Sequence, residues 1–393
     1  MADPVAWTFA PGGEYTEEFQ WLTDVLQAPT GGTQHRRLRI SPRAVVGFSA
    51  LESGARRVWM DRQLRNYSAA PWWVPVSIDT RYLASTVSGG ATVLSTPVAG
   101  ARFVAGGKVL VMGDDPRKFE VGAISAVGSS SLTLSPGLAG GWPAGTQLIP
   151  LRAGYLLEAP QVGRFTAQDS ALVALRFRLT DALDTTAAMS GATYRGYPVF
   201  DAFVPVWISD PVWVPERRVE VIDDDIATPL VVDMAGVALG KTTMQYAPDS
   251  AAAIQSFRAA LFALAGRWSP AWVPSWAQDL RLVAGVGAGQ GYIDVEGPVL
   301  SGQPLAANHR DIRIELFGGT VYYRRIATAA VQSSTVDRLT LDSALPAAFQ
   351  LSDVKLVSFL SLSVQDADTV ALSYFDASVA VCELTWRELD HEF

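Results

Sequence analysis

The sequence predicts a β-rich α+β protein of two tandem units, each an antiparallel sheet or sandwich with one main helix and a small appended β module. Three observations carry that expectation. Thirty-three glycines and 23 prolines divide the 393 residues into short segments, the punctuation of strands and turns rather than of long helices. Alternating apolar and polar residues recur, as in ALVALRFRLTD from Ala171 to Asp181, where Leu175, Phe177 and Leu179 share one face. A helix-like segment followed by Trp-Val-Pro occurs twice, at Trp73-Val74-Pro75 and at Trp272-Val273-Pro274, and self-similarity at a fixed offset marks repeated architecture.

The first unit is expected over residues 1–190. Its helix is ALESGARRVWMDRQLRNY, read from Leu51 to Tyr67, with arginines interrupting its apolar stripe and leaving it the more exposed of the two. GKVLVMGDDPRKFEVGAI then reads as two alternating strands about a Gly113-Asp114 turn, inside a small module spanning about 85–160. Small polar residues in TTAAMSGATYRGYP place a junction at 191–204.

The second unit follows over 205–393, with its small module about 285–365. DSAAAIQSFRAALFALAG spaces Ile254, Phe257, Leu261 and Leu264 for one helix face, with Asp249 or Ser250 as N-cap and Gly266 at the stop. Aligned through Trp-Val-Pro, Ala55 falls on Ile254, Val58 on Phe257 and Phe48 on Tyr246. IRIELFGGTVYYRRIA turns at Gly318-Gly319, Leu132-Thr133-Leu134 matches Leu339-Thr340-Leu341, and Trp142 matches Phe349. The strand in ASVAVCELTWRELDHEF closes the unit. Trp73, Pro75, Trp272, Pro274, Phe257 and Leu261 are thus the core and repeat anchors.

Composition narrows function. Half the chain is apolar, enough for a sizeable core, while a net charge of -8 argues against a nucleic-acid footprint. Cys382 is the one cysteine; with His35, His309 and His391 it is too little for a zinc site or an internal disulfide, and a reducing cytoplasm is the expected place of synthesis. The start, MADPVAWTFAPGGEYTEEF, reads as neither signal peptide nor membrane span, so no membrane insertion is expected.

PLVVDMAGVALGKTTMQYAP, from Pro229 to Pro248, imitates a phosphate loop at Gly240-Lys241-Thr242-Thr243. Such a loop needs a helix directly after the lysine, yet TTMQY alternates, Pro248 intervenes and Ala235 replaces the first glycine. The reading is a strand entering the second helix, its glycines serving a turn. Asp223, Asp224 and Asp225 lack calcium-loop spacing and read as an acidic turn between strands. The three histidines read as surface residues, and no carboxylate pair stands out. Trp72, Trp73, Trp268, Trp272 and Trp276 could stack carbohydrate, but following a helix in both copies they read as helix–sheet core. No cofactor, metal or catalytic residue is expected.

The opening carries a longer pattern: Glu17, Trp21-Leu22-Thr23-Asp24, Gln34 with Arg36 and Arg37, Pro42-Arg43, the helix to Tyr67, and Trp72 to Pro75. It resembles the tail-tip proteins of long-tailed bacteriophages, the distal tail or minor tail class and its relatives in gene transfer particles, over about residues 5–180 and more faintly after 205. His35 stands where relatives more often show an arginine or another polar residue. The resemblance implies a tail-tube-like β fold, no catalytic residue, and a virion structural protein at the tail tip or upper baseplate. There it would join the tail tube to the distal baseplate as a ring that passes DNA without holding it. Its partners would be its own copies, the tail tube protein, the baseplate hub and other tail proteins. Duplication makes three chains equivalent to six single units, so a pseudo-sixfold trimer is expected beside a hexamer. A carbohydrate- or receptor-binding adhesin is the competing expectation, an enzyme such as a cell-wall hydrolase the third.

Overall fold

The computed structural model describes residues 4–28, 31–165, 169–183, 188–207, 211–217, 219–226, 228–233, 236–302, 304–306 and 308–390; His391 and Ala235 lie outside them. Among the described residues two α-helices stand in a protein otherwise built of strands.

The chain begins with β1 (Val5–Ala6), β2 (Tyr15–Gln20), a hairpin of β3 (Thr23–Gln27) and β4 (Thr33–Arg37), and β5 (Arg43–Glu52). Helix α1 (Gly54–Tyr67) leads to β6 (Trp72–Pro75), β7 (Arg81–Tyr82), β8 (Val93–Ser95), β9 (Lys108–Met112), β10 (Phe119–Val127), β11 (Ser131–Leu134), β12 (Gln147–Leu156), β13 (Val162–Arg164) and β14 (Ala171–Leu179). A short hairpin of β15 (Thr193–Tyr194) and β16 (Tyr197–Pro198) connects onward. Then come β17 (Val212–Glu216), a second hairpin of β18 (Val219–Ile222) and β19 (Leu230–Asp233), β20 (Leu239–Tyr246) and helix α2 (Ala251–Leu264). The last part is β21 (Ala271–Pro274), β22 (Tyr292–Glu296), β23 (Asp311–Leu316), β24 (Val321–Ser333), β25 (Val336–Leu341), β26 (Val354–Gln365), β27 (Thr369–Tyr374) and β28 (Ala380–Glu388).

Apart from β1, which pairs parallel with β6, the strands follow one antiparallel pairing order in each half. In the first, β5 pairs with β2 and β14, β14 with β13 and β12, β12 with β6 and β9, β9 with β10, β10 with β11, and β11 with β8. In the second, β20 pairs with β17 and β28, β28 with β27 and β26, β26 with β21 and β23, β23 with β24, β24 with β25, and β25 with β22. Isolated bridges join Val87 to Trp142 and Val286 to Phe349. One further pairing, β2 with β27, fuses the halves. The principal sheet therefore runs β13-β14-β5-β2-β27-β28-β20-β17.

Both helices lie over the same face of that sheet. Met60 and Leu64 of α1 and Phe257 and Leu261 of α2 enter one aromatic core with Trp7, Phe48, Phe177, Tyr246 and Trp386. Separate clusters fill the smaller β modules, around Leu94, Val111 and Leu148 in the first and Ile293, Ile314 and Val357 in the second.

Several expectations are corrected. Helix α1 starts at Gly54, because the alternation of β5 continues through Leu51 to Glu52. Counted from the helix starts, Met60 rather than Val58 stands with Phe257; Val58 is exposed while Met60 is fully buried. Ser250 is the N-cap of α2, its side chain accepting from Ala253 N, and Ala265 ends the helix in the left-handed region before Gly266. The anchor tryptophans do not fill the helix–sheet core. Successive strand residues point to opposite faces, so Trp72, Val74 and Val273 meet the helices while Trp73 packs with Leu110 and Ile149, and Trp272 with Val199 and Leu360. Trp268 is partly exposed, and Trp276 joins the main core.

Candidate functional site

The β2–β27 seam gathers Glu17, Trp21, Thr23 and Arg37 of the opening motif. Its register sets Tyr15 opposite Tyr374, Glu17 opposite Leu372 and Phe19 opposite Val370. Phe19 meets Phe262 of α2 edge to face at 5.0 Å, and Trp21 meets the same ring at 6.2 Å. Asp368, in the turn before β27, accepts from Thr23 N at 2.6 Å, Thr23 Oγ1 at 2.9 Å and Arg267 N at 3.0 Å. Arg37 lies over the Trp268 ring at 5.0 Å, carrying the β3–β4 hairpin across the seam. Leu22, Asp24, Arg36 and Arg43 remain at the surface, and Pro42 is buried at the entry to β5.

A buried charge network closes the seam from inside. Glu17 points inward with Tyr15 and Phe19, ion-pairs with Arg102 and Arg258, and accepts from Tyr374 Oη at 2.7 Å. Arg102 also reaches Asp79 and donates its backbone N–H to it at 3.0 Å. Burial alone would raise the Glu17 pKa, but the Arg102 and Arg258 guanidiniums, with the Tyr374 hydroxyl, bring it down to about 2. Burial first, and then Glu17, push the Tyr374 phenol upward. The network thus links β2, the first β module, α2 and β27. Reading the sequence did not find it, although Arg258 inside the apolar stripe of α2 was its visible sign.

At the far end of the sheet, β17 borders a cleft of about 490 Å³ lined by Trp207, Trp213, Met244, His309, Phe359 and Trp386. His309 stacks on Phe359 with ring centroids 3.9 Å apart. The carboxylates of the cleft are engaged: Glu388 accepts from Gly240 N at 2.6 Å and Ser361 Oγ at 2.9 Å, and Asp279 from Phe359 N at 2.7 Å.

The phosphate-loop imitation lies inside β20, where Lys241 ion-pairs with Asp366 at 2.6 Å. Gly240 serves close approach rather than a turn: a Cβ there would fall within 2.6 Å of Glu388 and 2.3 Å of the Trp213 indole. Asp223 and Asp224 cap the β18–β19 turn by accepting from Asp225 N and Ile226 N. His35 sits on β4 beside Thr33 Oγ1 at 3.0 Å, its pKa lowered mainly by burial. Among the described residues no group of three His, Cys, Asp or Glu side chains could hold a metal, and no helix is long and apolar enough to cross a membrane.

No protein-family model matches the chain, and no curated protein matches it.

Proposed function

We propose that this chain is a structural component of a bacteriophage tail tip or baseplate, two tandem tail-tube-like units assembling as a ring between the tail tube and the distal baseplate and letting DNA pass. The observation that carries the reading is the β2–β27 seam: one half presents β2, the first strand of its part of the principal sheet, to β27, the penultimate strand of the other. That contact is head-to-tail, and such contacts propagate until a rotation closes them. The resemblance of residues 5–180 to tail-tip proteins supplies the setting, with tail tube and baseplate hub as neighbours and no cofactor or catalytic step. Electron microscopy of the purified chain tests it: closed rings with a central opening are expected, and a uniform population of compact monomers at every concentration overturns it.

The cleft beside β17 favours a second reading, a carbohydrate- or receptor-binding adhesin, since Trp207 and Trp213 are exposed beside polar neighbours in a concavity. Glycan-array binding lost in Trp213→Ala would favour it over the ring.

A further inference from the structure

The ring reading leaves open which surfaces meet, and the internal seam supplies a template. Of the eight principal strands, β13 pairs only with β14 and β17 only with β20 among the described residues, so the sheet ends in two open edges. These edges are not alike. Strand β17 occupies the place in the second half that β2 occupies in the first, and β13 the place of β27. Hence the chain joins a first-strand edge to a penultimate-strand edge once internally and carries one unused edge of each kind.

We propose that β17 of one chain pairs antiparallel with β13 of a second copy in the register of β2 with β27, and that its β18–β19 hairpin crosses this joint as β3–β4 crosses the internal one; the proposal rests on the ring reading. Transferring the register through Trp73 and Trp272 sets Trp213 opposite Val162 of the second copy and Val212 opposite its Gly163, the counterparts of Glu17 opposite Leu372 and Thr16 opposite Ser373.

Burial supports each half of the assignment. Glu17 and Phe19 are buried at the internal seam, whereas Trp213 is 57% exposed with Val212 and Val214 beside it. Hairpin β3–β4 borders a small cavity with Val364, which is 2% exposed. Tyr155, where β12 takes the place of β26, is 42% exposed. Hairpin β18–β19 bears Val219, Val221, Ile222, Ile226, Leu230 and Val231, all exposed, an apolar surface that soluble proteins rarely leave open. Prolines limit the ladder. Gln245 O faces Val206 N, so by alternation Val212, Val214 and Glu216 bond toward β20 while Pro211, Trp213 and Pro215 face the open edge. Two of those three lack an N–H, which restricts the edge to one donor at Trp213 and discourages indiscriminate edge pairing.

The test is a disulfide trap in the full chain, whose one cysteine, Cys382, is buried. Val212→Cys with Gly163→Cys are at opposite ends of the sheet within one chain, so a bond between them joins two chains. Mild oxidation is expected to yield reducible dimers and higher species, and none when Leu172→Cys, one strand further in, replaces Gly163→Cys. The paired variant Trp213→Lys with Ile222→Lys is expected to abolish oligomers while leaving the melting temperature of the monomer unchanged. Oligomers that persist in this variant, with no trapped species, overturn the seam and leave the ring reading standing. Absence of any oligomer in the unaltered chain overturns both.

Discussion

Glu17 shows how one side chain can decide whether two sheets stay joined. Two guanidiniums and a phenol converge on its carboxylate away from water, and removing the charge leaves both arginines buried with one partner fewer. Glu17→Gln is expected to destabilise the fold by about 3 kcal/mol, the low end for breaking a buried pair, read as a lower urea midpoint with an unchanged slope. Acid should act in the same direction. The folded pKa of about 2 lies below the ordinary 4.5, so the native state binds the proton later than the unfolded chain. The stabilisation is therefore complete above about pH 4.5 and lost as pH falls towards 2. Urea titrations across that window should show stability falling more steeply with acid in the parent than in Glu17→Gln, where Asp337, Glu315 and Asp366 still contribute; equal pH dependence would refute the assignment. At this scale the sequence was only partly legible. The acid at 17 and the arginine at 258 are 241 positions apart, and nothing local in either stretch specifies the partner.

Elements were more legible, because period and punctuation are local. The spacing of Ile254, Phe257, Leu261 and Leu264 gave α2, and the alternation of TTMQY placed Lys241 on a strand. What local patterns do not settle is which strand lies beside which, or the phase by which Trp72 rather than Trp73 meets the helix. Two substitutions test the element assignments. Ser250→Ala removes the N-cap acceptor for Ala253 N and should cost about 1 kcal/mol. Lys241→Ala removes a partly exposed pair with Asp366 and should cost less than about 1 kcal/mol, with ATP shifting the melting temperature of neither form. An ATP-dependent shift lost in Lys241→Ala would restore the phosphate-loop reading.

For the whole molecule, the doubled helix–Trp-Val-Pro pattern suggested two units, but the seam between them was not visible, since β2 and β27 stand at opposite ends of the chain. In the proposed ring the eight-strand sheet sets the size. At the roughly 4.8 Å spacing of paired strands, two chains close at a diameter of about 24 Å and three at about 37 Å. Strand tilt of up to about 45° widens these by up to about 40%, and side chains take back roughly 10 Å, leaving openings of about 14–24 Å and 27–42 Å. A duplex roughly 20 Å across clears the three-chain ring at every tilt and the two-chain ring only near the steepest, which favours three chains, the pseudo-sixfold arrangement. In the proposed passage, Arg176 on the face opposite the helices pairs with Glu18 at 2.9 Å, and Arg387 with Asp366 at 2.7 Å and Glu216 at 2.8 Å, so these two arginines are matched by acids, while Arg178 donates to the neutral Gln20 Oε1 at 3.2 Å. Where its arginines are matched in this way such a lining releases few counterions from DNA and should hold it weakly. Rings of three chains with an opening near 30 Å and no gel retardation of duplex DNA at low salt are expected. Rings of two chains would overturn the pseudo-sixfold arrangement, and tight binding that weakens steeply with salt would show that this face does not line a DNA passage.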